Sequence, residues 1–277
     1  LYDLFSRSQE TTPQYYTSDF MYGLHSVSSV IARGRRDIHG LLTDKSPREL
    51  AQMSPTHDYI VKVCTERKIP IIMTSTGRLE QLSGGFGNRH QSAILVCSPF
   101  QPLSPNILED YNPDICIPAP SDEQLTPPHR YTLRDTDEKM PIWVVVDRIQ
   151  DPHNMGAILR SAWFYGVDGV ILPRKDSCPV NATCANISTG AVEQLPIYYC
   201  RNLGVLMKQC TENEWQTVGT HSNSETNPNE VTAPILPLQD LKINKPTIIV
   251  LGNEGYGVSN DVLRQCSFSV QIPSFSP

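Results

Sequence analysis

The sequence predicts an α/β protein made of two modules, and three observations carry that reading. Apolar runs of strand length alternate with segments whose apolar residues recur at helix period. One run, Ile-Trp-Val-Val-Val at 142–146, is almost uninterrupted, the mark of a parallel strand covered on both faces. Prolines crowd into one stretch, at 99, 102, 105, 113, 118, 120, 127, 128 and 141, a density that no packed element tolerates. At 277 residues the chain has room for two modest cores on either side of that stretch.

Residues 1–19 lack periodicity and read as a flexible tail. From Phe20 a small α/β/α module is expected to extend to Ser98. Tyr-Gly-Leu-His-Ser-Val-Ser-Ser-Val-Ile-Ala-Arg (22–33) has apolar residues at 24, 27, 30 and 31, a helix period, with Arg33, Arg35 and Arg36 at its end. A strand follows at 38–43, a helix at 58–68, and strands at 69–74 and 92–98. Residues 99–140 are the linker, extended and partly stiff. The second module, 141–277, opens with the strand at 142–147, a helix at 155–166 ending on Gly166, and a strand at 167–172, the order of a right-handed βαβ unit. Further strands are expected at 195–200, 215–220, 247–252 and 267–273. Helices should cover 202–212 and 259–266, the latter capped by Ser259.

Composition narrows the function. The apolar fraction is 39% and no apolar run reaches the roughly 18 residues of a membrane-spanning helix. The net charge of −6 argues against a generally basic nucleic-acid binder, although a local patch can still grip RNA. Eight cysteines contain no Cys-x-x-Cys pair, so no metal site is expected and the thiols read as reduced and mostly buried. The Asn-x-Ser/Thr patterns at Asn181 and Asn186 are common by chance and carry little weight for secretion.

Two stretches carry chemistry. In the first, Asp147-x-x-x-Asp151-Pro152-x-Asn154-x-Gly156-x-x-x-Arg160 places turn-forming and polar residues between an apolar strand and a helix. In the second, a strand runs into Leu251-Gly252-Asn253-Glu254-Gly255-Tyr256-Gly257, then a helix, then a strand ending at Ile272-Pro273. Alone, the glycine loop has the wrong spacing and position for a dinucleotide fingerprint, and a tight strand-to-helix turn would explain it. Together the two stretches closely resemble the SpoU (TrmH-like) branch of the SPOUT RNA methyltransferases. Residues 188–196 and 218–220 look like that family's connecting segments. Tyr22–Val27 and Ser83–Gln91 resemble its N-terminal substrate-binding domain, which is similar to the ribosomal L30e fold.

The resemblance implies a trefoil-knotted C-terminal domain that binds S-adenosylmethionine and methylates a ribose 2′-hydroxyl of RNA, working as a homodimer. It implies cofactor contacts from Thr220, Leu251, Gly252 and Ile272, and no metal. It places Asn154, Arg160 and Glu254 in the catalytic set. For Asn154 the plain alternative is a helix cap; for Glu254 it is a surface carboxylate on a turn. A guanidinium is a poor base near neutral pH, so a bidentate phosphate clamp suits Arg160 better than proton abstraction. A side chain added at Gly252 is expected to block the cofactor while sparing the fold. RNA contacts in the first module are expected from Arg33, Arg35, Arg36, Arg89 and His90, the arginines fanning along a backbone from a helix end; the rival is a solvated terminus favoured by the helix dipole.

Relatives with this module pair point to a guanosine of large-subunit ribosomal RNA. The proline-rich linker and acidic drift look more mitochondrial than bacterial, which places the protein in the matrix. A tRNA ribose methyltransferase, or a non-catalytic RNA-binding or ribosome-assembly factor on the same scaffold, are the alternatives. The family's third motif, a Ser-Leu-Asn-x-Ser-like stretch after Ile-Pro, has no counterpart in Ile-Pro-Ser-Phe-Ser-Pro at 272–277, and the expectation is that this sequence is a fragment.

Overall fold

The computed structural model describes residues 18–85, 89–102, 140–221 and 234–271. The chain divides into two compact units, residues 1–100 and 101–277. Residues 1–17 of the expected tail and 103–139 of the expected linker lie outside the described residues.

The first unit is a four-stranded sheet of β1 (Asp19–Tyr22), β2 (Ile38–Thr43), β3 (Ile71–Met73) and β4 (Ile94–Cys97) in the order β1-β4-β2-β3. Only β2 and β3 run parallel; β4 is antiparallel to both neighbours. Helices α1 (Leu24–Arg33), α2 (Pro47–Met53), α3 (Pro55–Glu66) and α4 (Thr76–Leu82) accompany it. Their starts follow from local chemistry. Ser46 and Glu49 make a capping box for α2, and the Ser54 hydroxyl caps α3 ahead of Pro55, whose missing N–H costs nothing there. The core is aliphatic: Met21, Val27, Val30, Ile31, Leu41, Ile60 and Leu95 are fully buried. Both edges of the unit differ from expectation. Asp19 belongs to a strand rather than a tail, and Phe100, placed in the linker by proline density, is 5% exposed. A four-residue strand is too short to register as periodicity, so pairing with β4 decides it.

The second unit is a seven-stranded, wholly parallel sheet. Its strands are β5 (Ile142–Val146), β6 (Gly169–Pro173), β7 (Ile197–Cys200), β8 (Gln216–His221), β9 (Ile235–Pro237), β10 (Thr247–Leu251) and β11 (Phe268–Gln271), ordered β7-β6-β5-β10-β8-β11-β9. Helices α5 (Pro152–Phe164), α6 (Ala182–Ile187), α7 (Ala191–Gln194), α8 (Leu203–Glu212) and α9 (Asn260–Leu263) complete it. Two glycines are packing devices. A Cβ on Gly156 would sit 2.8 Å from the Cys184 carbonyl oxygen, so its absence lets α5 and α6 approach. Gly169 makes room for the Trp143 ring, which in turn stacks at 5.6 Å on Tyr198. Asn181, one of the two glycosylation-like asparagines, caps α6 with its side-chain oxygen.

This strand order places the site. From β5 the chain moves outward through β6 and β7, then returns to the far side of β10. The direction therefore reverses between β5 and β10, and in parallel sheets ligands gather beyond the carboxyl ends of the strands at such a reversal. Val146 pairs with Leu251 in register, so the two motif-bearing loops leave the sheet side by side.

Candidate active site

The site is best built from the glycine loop, residues 252–258. Asn253 forms an isolated bridge with Gly257, each backbone N–H donating to the other's carbonyl at 3.0 and 2.8 Å. The Asn253 side-chain oxygen accepts from the backbone N–H of Gly255 and Tyr256, at 2.9 and 3.1 Å. Gly257 is left-handed, with φ of +65°, which glycine adopts without penalty. A Cβ on Gly252 would meet the Gly257 carbonyl oxygen at 2.6 Å and come closer still to the Val258 nitrogen. The expectation that a side chain at Gly252 would spare the fold is therefore corrected: the loop folds back over this residue, and a Cβ there meets its own backbone.

The β5 loop braces the glycine loop. Arg148, itself left-handed with φ of +59°, accepts the Asn253 amide on its carbonyl at 3.1 Å and donates from its guanidinium to the Gly257 carbonyl at 3.2 Å. Asp147, 5% exposed, accepts the Ser259 backbone N–H at 2.6 Å, fixing the loop's exit into α9. Arg148, Asn253 and Ser259 are the site residues that sequence reasoning missed as a set. The Asp147 acid, read only as a motif letter, is a positioning group. A charge held against a backbone N–H in a buried position makes a strong hydrogen bond.

Asn154 and Glu254, separated by a hundred residues in sequence, are joined by a hydrogen bond from the Asn154 side-chain amide to a Glu254 carboxylate oxygen. The helix cap on α5 is Asp151, whose carboxylate accepts the His153 N–H at 2.9 Å. Asn154 is thus not the cap, and its amide is turned to the other loop. Arg160 is exposed on the same helix. Six residues of α-helix separate the two by about 9 Å along the axis and about 240° around it. The fold brings Asn154 to Glu254 and leaves Arg160 on another face.

Thr220, Leu251 and Gly252 stand at the carboxyl ends of the neighbouring strands β8 and β10, half-buried, with the Thr220 hydroxyl donating to the Val250 carbonyl at 2.9 Å. Ile272 lies outside the described residues.

In the first unit the five residues expected to touch RNA part ways. Arg36 is corrected outright. Its side chain is fully buried, paired with Asp19 at 2.7 Å, bonded to the Ser98 carbonyl at 3.3 Å and set over the Phe100 ring at 5.4 Å. A guanidinium so enclosed cannot reach a phosphate. His90 is corrected too, being 2% exposed with its Nδ1 accepting the Ser92 N–H at 3.0 Å. Arg33 and Arg35 are half-exposed, Arg35 lying 5.8 Å from the Phe100 ring, and Arg89 is exposed.

The model of the SpoU rRNA Methylase family matches residues 141–276, and that of the RNA 2'-O ribose methyltransferase substrate binding family matches 20–103. The chain is 32% identical over 214 residues to rRNA methyltransferase 1, mitochondrial, of Dictyostelium discoideum, covering 77% of this chain and only 39% of that protein. It is 26% identical over 257 residues to the 23S rRNA (guanosine-2'-O-)-methyltransferase RlmB of Pseudomonas aeruginosa, covering 91% of this chain and 86% of that one. Among solved structures, the AdoMet-bound rRNA methyltransferase from Sinorhizobium meliloti shares the fold, with a TM-score of 0.62 at 18% identity over 94% of this chain and 80% of that one.

Proposed function

We propose, from the match of residues 141–276 to the model of the SpoU rRNA Methylase family, that the chain is an S-adenosylmethionine-dependent 2′-O-ribose methyltransferase acting on a guanosine of mitochondrial large-subunit rRNA. The observation that carries this reading is the hydrogen bond between Asn154 and Glu254, which unites the family's two motifs at the sheet's reversal point. The mitochondrial and guanosine assignments follow the relatives' names.

The residues present fit the cofactor. Leu251 and Gly252 offer half-buried backbone at the end of one strand, and Thr220 lies near the end of the adjacent parallel strand. Bound there, S-adenosylmethionine would supply an electrophilic methyl group. The protein's task is then to hold the ribose oxygen in line, and positioning of this kind is worth several kcal/mol of barrier. Asn154, fixed by Glu254, orients the substrate. Arg160 clamps a phosphate through its planar fork. Because Arg160 lies on a different face of the helix from Asn154, about 120° round by the shorter way, its contribution fits a homodimer in which it serves the partner's site. Phe164, one turn further along the same face, is 80% exposed and suits burial against a second copy. Arg33, Arg35 and Arg89 contact RNA from the first unit.

The test uses full-length protein, labelled S-adenosylmethionine and transcripts of mitochondrial large-subunit rRNA, with ribose methylation mapped by nucleotide. Methyl transfer to one guanosine is the expected result. Transfer to tRNA alone, or RNA binding with no transfer, would replace this reading with the tRNA enzyme or the assembly factor.

A further inference from the structure

The carboxyl-end rim of the second unit's sheet is hydrogen-bonded into one continuous surface, and its two ends carry different chemistry. The glycine loop is tied to the β5 loop through Arg148 and Asn253. The β5 loop is tied to the β6 loop by the Cys178 N–H donating to the Ile149 carbonyl at 2.8 Å. The β6 loop is tied to the end of β7 by the Arg174 N–H donating to the Cys200 carbonyl at 2.9 Å. On one end stands Tyr256, 84% exposed, its backbone N–H held by Asn253. On the other end, the pairing of Pro173 with Cys200 brings Arg174 and Arg201 side by side just past the ends of adjacent strands, with Lys175 following Arg174.

We infer that this rim binds a single-stranded RNA segment, Tyr256 stacking on a base and Lys175 and Arg201 holding phosphates on the far side of Asn154. The inference rests on the proposed function and adds Lys175 and Arg201, which lie outside both motifs, and Tyr256, which fills an unspecified position of the second.

Three physical points support it. An aromatic ring almost wholly in water and fixed on a braced turn is set up for stacking, because little ordering remains to be done on binding. Exposed Lys175 and Arg201 follow the ends of adjacent strands, and grouped cations of this kind favour a polyanion. The N-terminus of the thirteen-residue α5 opens onto the same rim with its positive dipole end. The acids there are Asp147, which accepts from Ser259, Asp151, which caps α5, Glu254, which holds Asn154, and exposed Asp176. Three of the four are thus engaged within the protein. The competing occupant for Tyr256 is a second copy of the chain. Against it, the exposed aromatics Phe164 and Tyr165 lie at the opposite end of α5, roughly 15 Å along the axis from Asn154.

The experiment measures the affinity of full-length protein for a single-stranded rRNA oligonucleotide across salt concentrations. Tyr256→Ala should weaken binding roughly 5- to 100-fold with the salt slope unchanged, while Tyr256→Phe and Tyr256→Trp bind normally. Lys175→Glu with Arg201→Glu should flatten the slope by about 1.4, the share of two phosphate contacts on a single strand. S-adenosylmethionine affinity should hold in every variant, which separates contact loss from misfolding. Wild-type affinity and slope in both variants overturn the inference, as does Tyr256→Ala that dissociates a dimer without weakening RNA. A wild-type protein that transfers no methyl group overturns the proposed function instead, and the binding measurement stands apart from it.

Discussion

The loop at 252–258 and the basic end of α1 are built in opposite ways. In the loop, backbone geometry comes first: glycines at 252, 255 and 257 allow a fold-back that hydrogen bonds from Asn253 and Arg148 then lock. Each exposed side chain there, Glu254 and Tyr256, is presented by a rigid frame. At the basic end the side chains come first and the frame follows. Arg36 turns inward, fills the space between Asp19, Ser98 and Phe100, and so becomes part of the core, while Arg33 and Arg35 stay nearer the surface. The lesson is that a glycine pattern fixes conformation from within a few residues, whereas an arginine's role depends on what the fold puts beside it.

Five outcomes would break or sharpen that contrast. Gly252→Val should unfold the loop, lowering stability by more than about 3 kcal/mol as well as abolishing cofactor binding, because its Cβ collides with backbone that cannot swing away. Thermal unfolding and calorimetry on full-length protein check it, and a folded variant with normal cofactor affinity would mean that the loop is not locked. Arg36→Ala should cost about 3 kcal/mol by leaving Asp19 without its partner, against less than about 1 kcal/mol for Arg35→Ala, which gives up a ring contact. Urea unfolding of the two variants compares them directly; equal losses would erase the distinction between buried and half-exposed arginines.

Asn154→Ala should change stability little, since its bond to Glu254 lies near the surface, yet lower turnover about 100-fold by misplacing the ribose. Single-turnover kinetics at saturating RNA gives the number, and normal turnover would make the Asn154–Glu254 bond a mere tie between loops. Arg160→Lys should lose about tenfold in turnover with cofactor affinity intact, because an ammonium cannot reproduce the bidentate fork.

The smallest effect at neutral pH concerns Cys266, packed beneath the α9 end of the loop. Burial pushes its thiol from 9.0 up to about 12, with Asp147 adding to the rise. A raised folded-state value favours the neutral thiol, so this contribution is intact below the unfolded-state pKa and is lost as pH climbs from about 9 towards about 12. Cys266→Ala should therefore flatten the alkaline limb of a stability–pH curve and leave the curve at pH 7 lower by only the lost packing. An identical alkaline limb would show that Cys266 is solvated in the native protein.

Much of the second unit was legible because its signals are local. The apolar run at 142–146 reads as a doubly covered strand and the glycines at 252, 255 and 257 as a tight strand-to-helix turn, although the backbone crowding at Gly156 and Gly252 emerged only with the fold. The strands at 197–200, 247–251 and 268–271 likewise follow from β-branched and aromatic residues bounded by breakers. The sheet order was not legible, since strand sequences do not encode which neighbour lies between which others. Only that order puts the ends of β5 and β10 together and lets Asn154 meet Glu254. In the same way, the residue types at 36 and 90 announced a cation and a histidine, and burial alone decided that Arg36 and His90 face inward. Local conformation is a short-range property of the chain and is written in it residue by residue. Exposure, partnership and reach are properties of surfaces that exist only once distant segments have packed, and so the tertiary structure decided them.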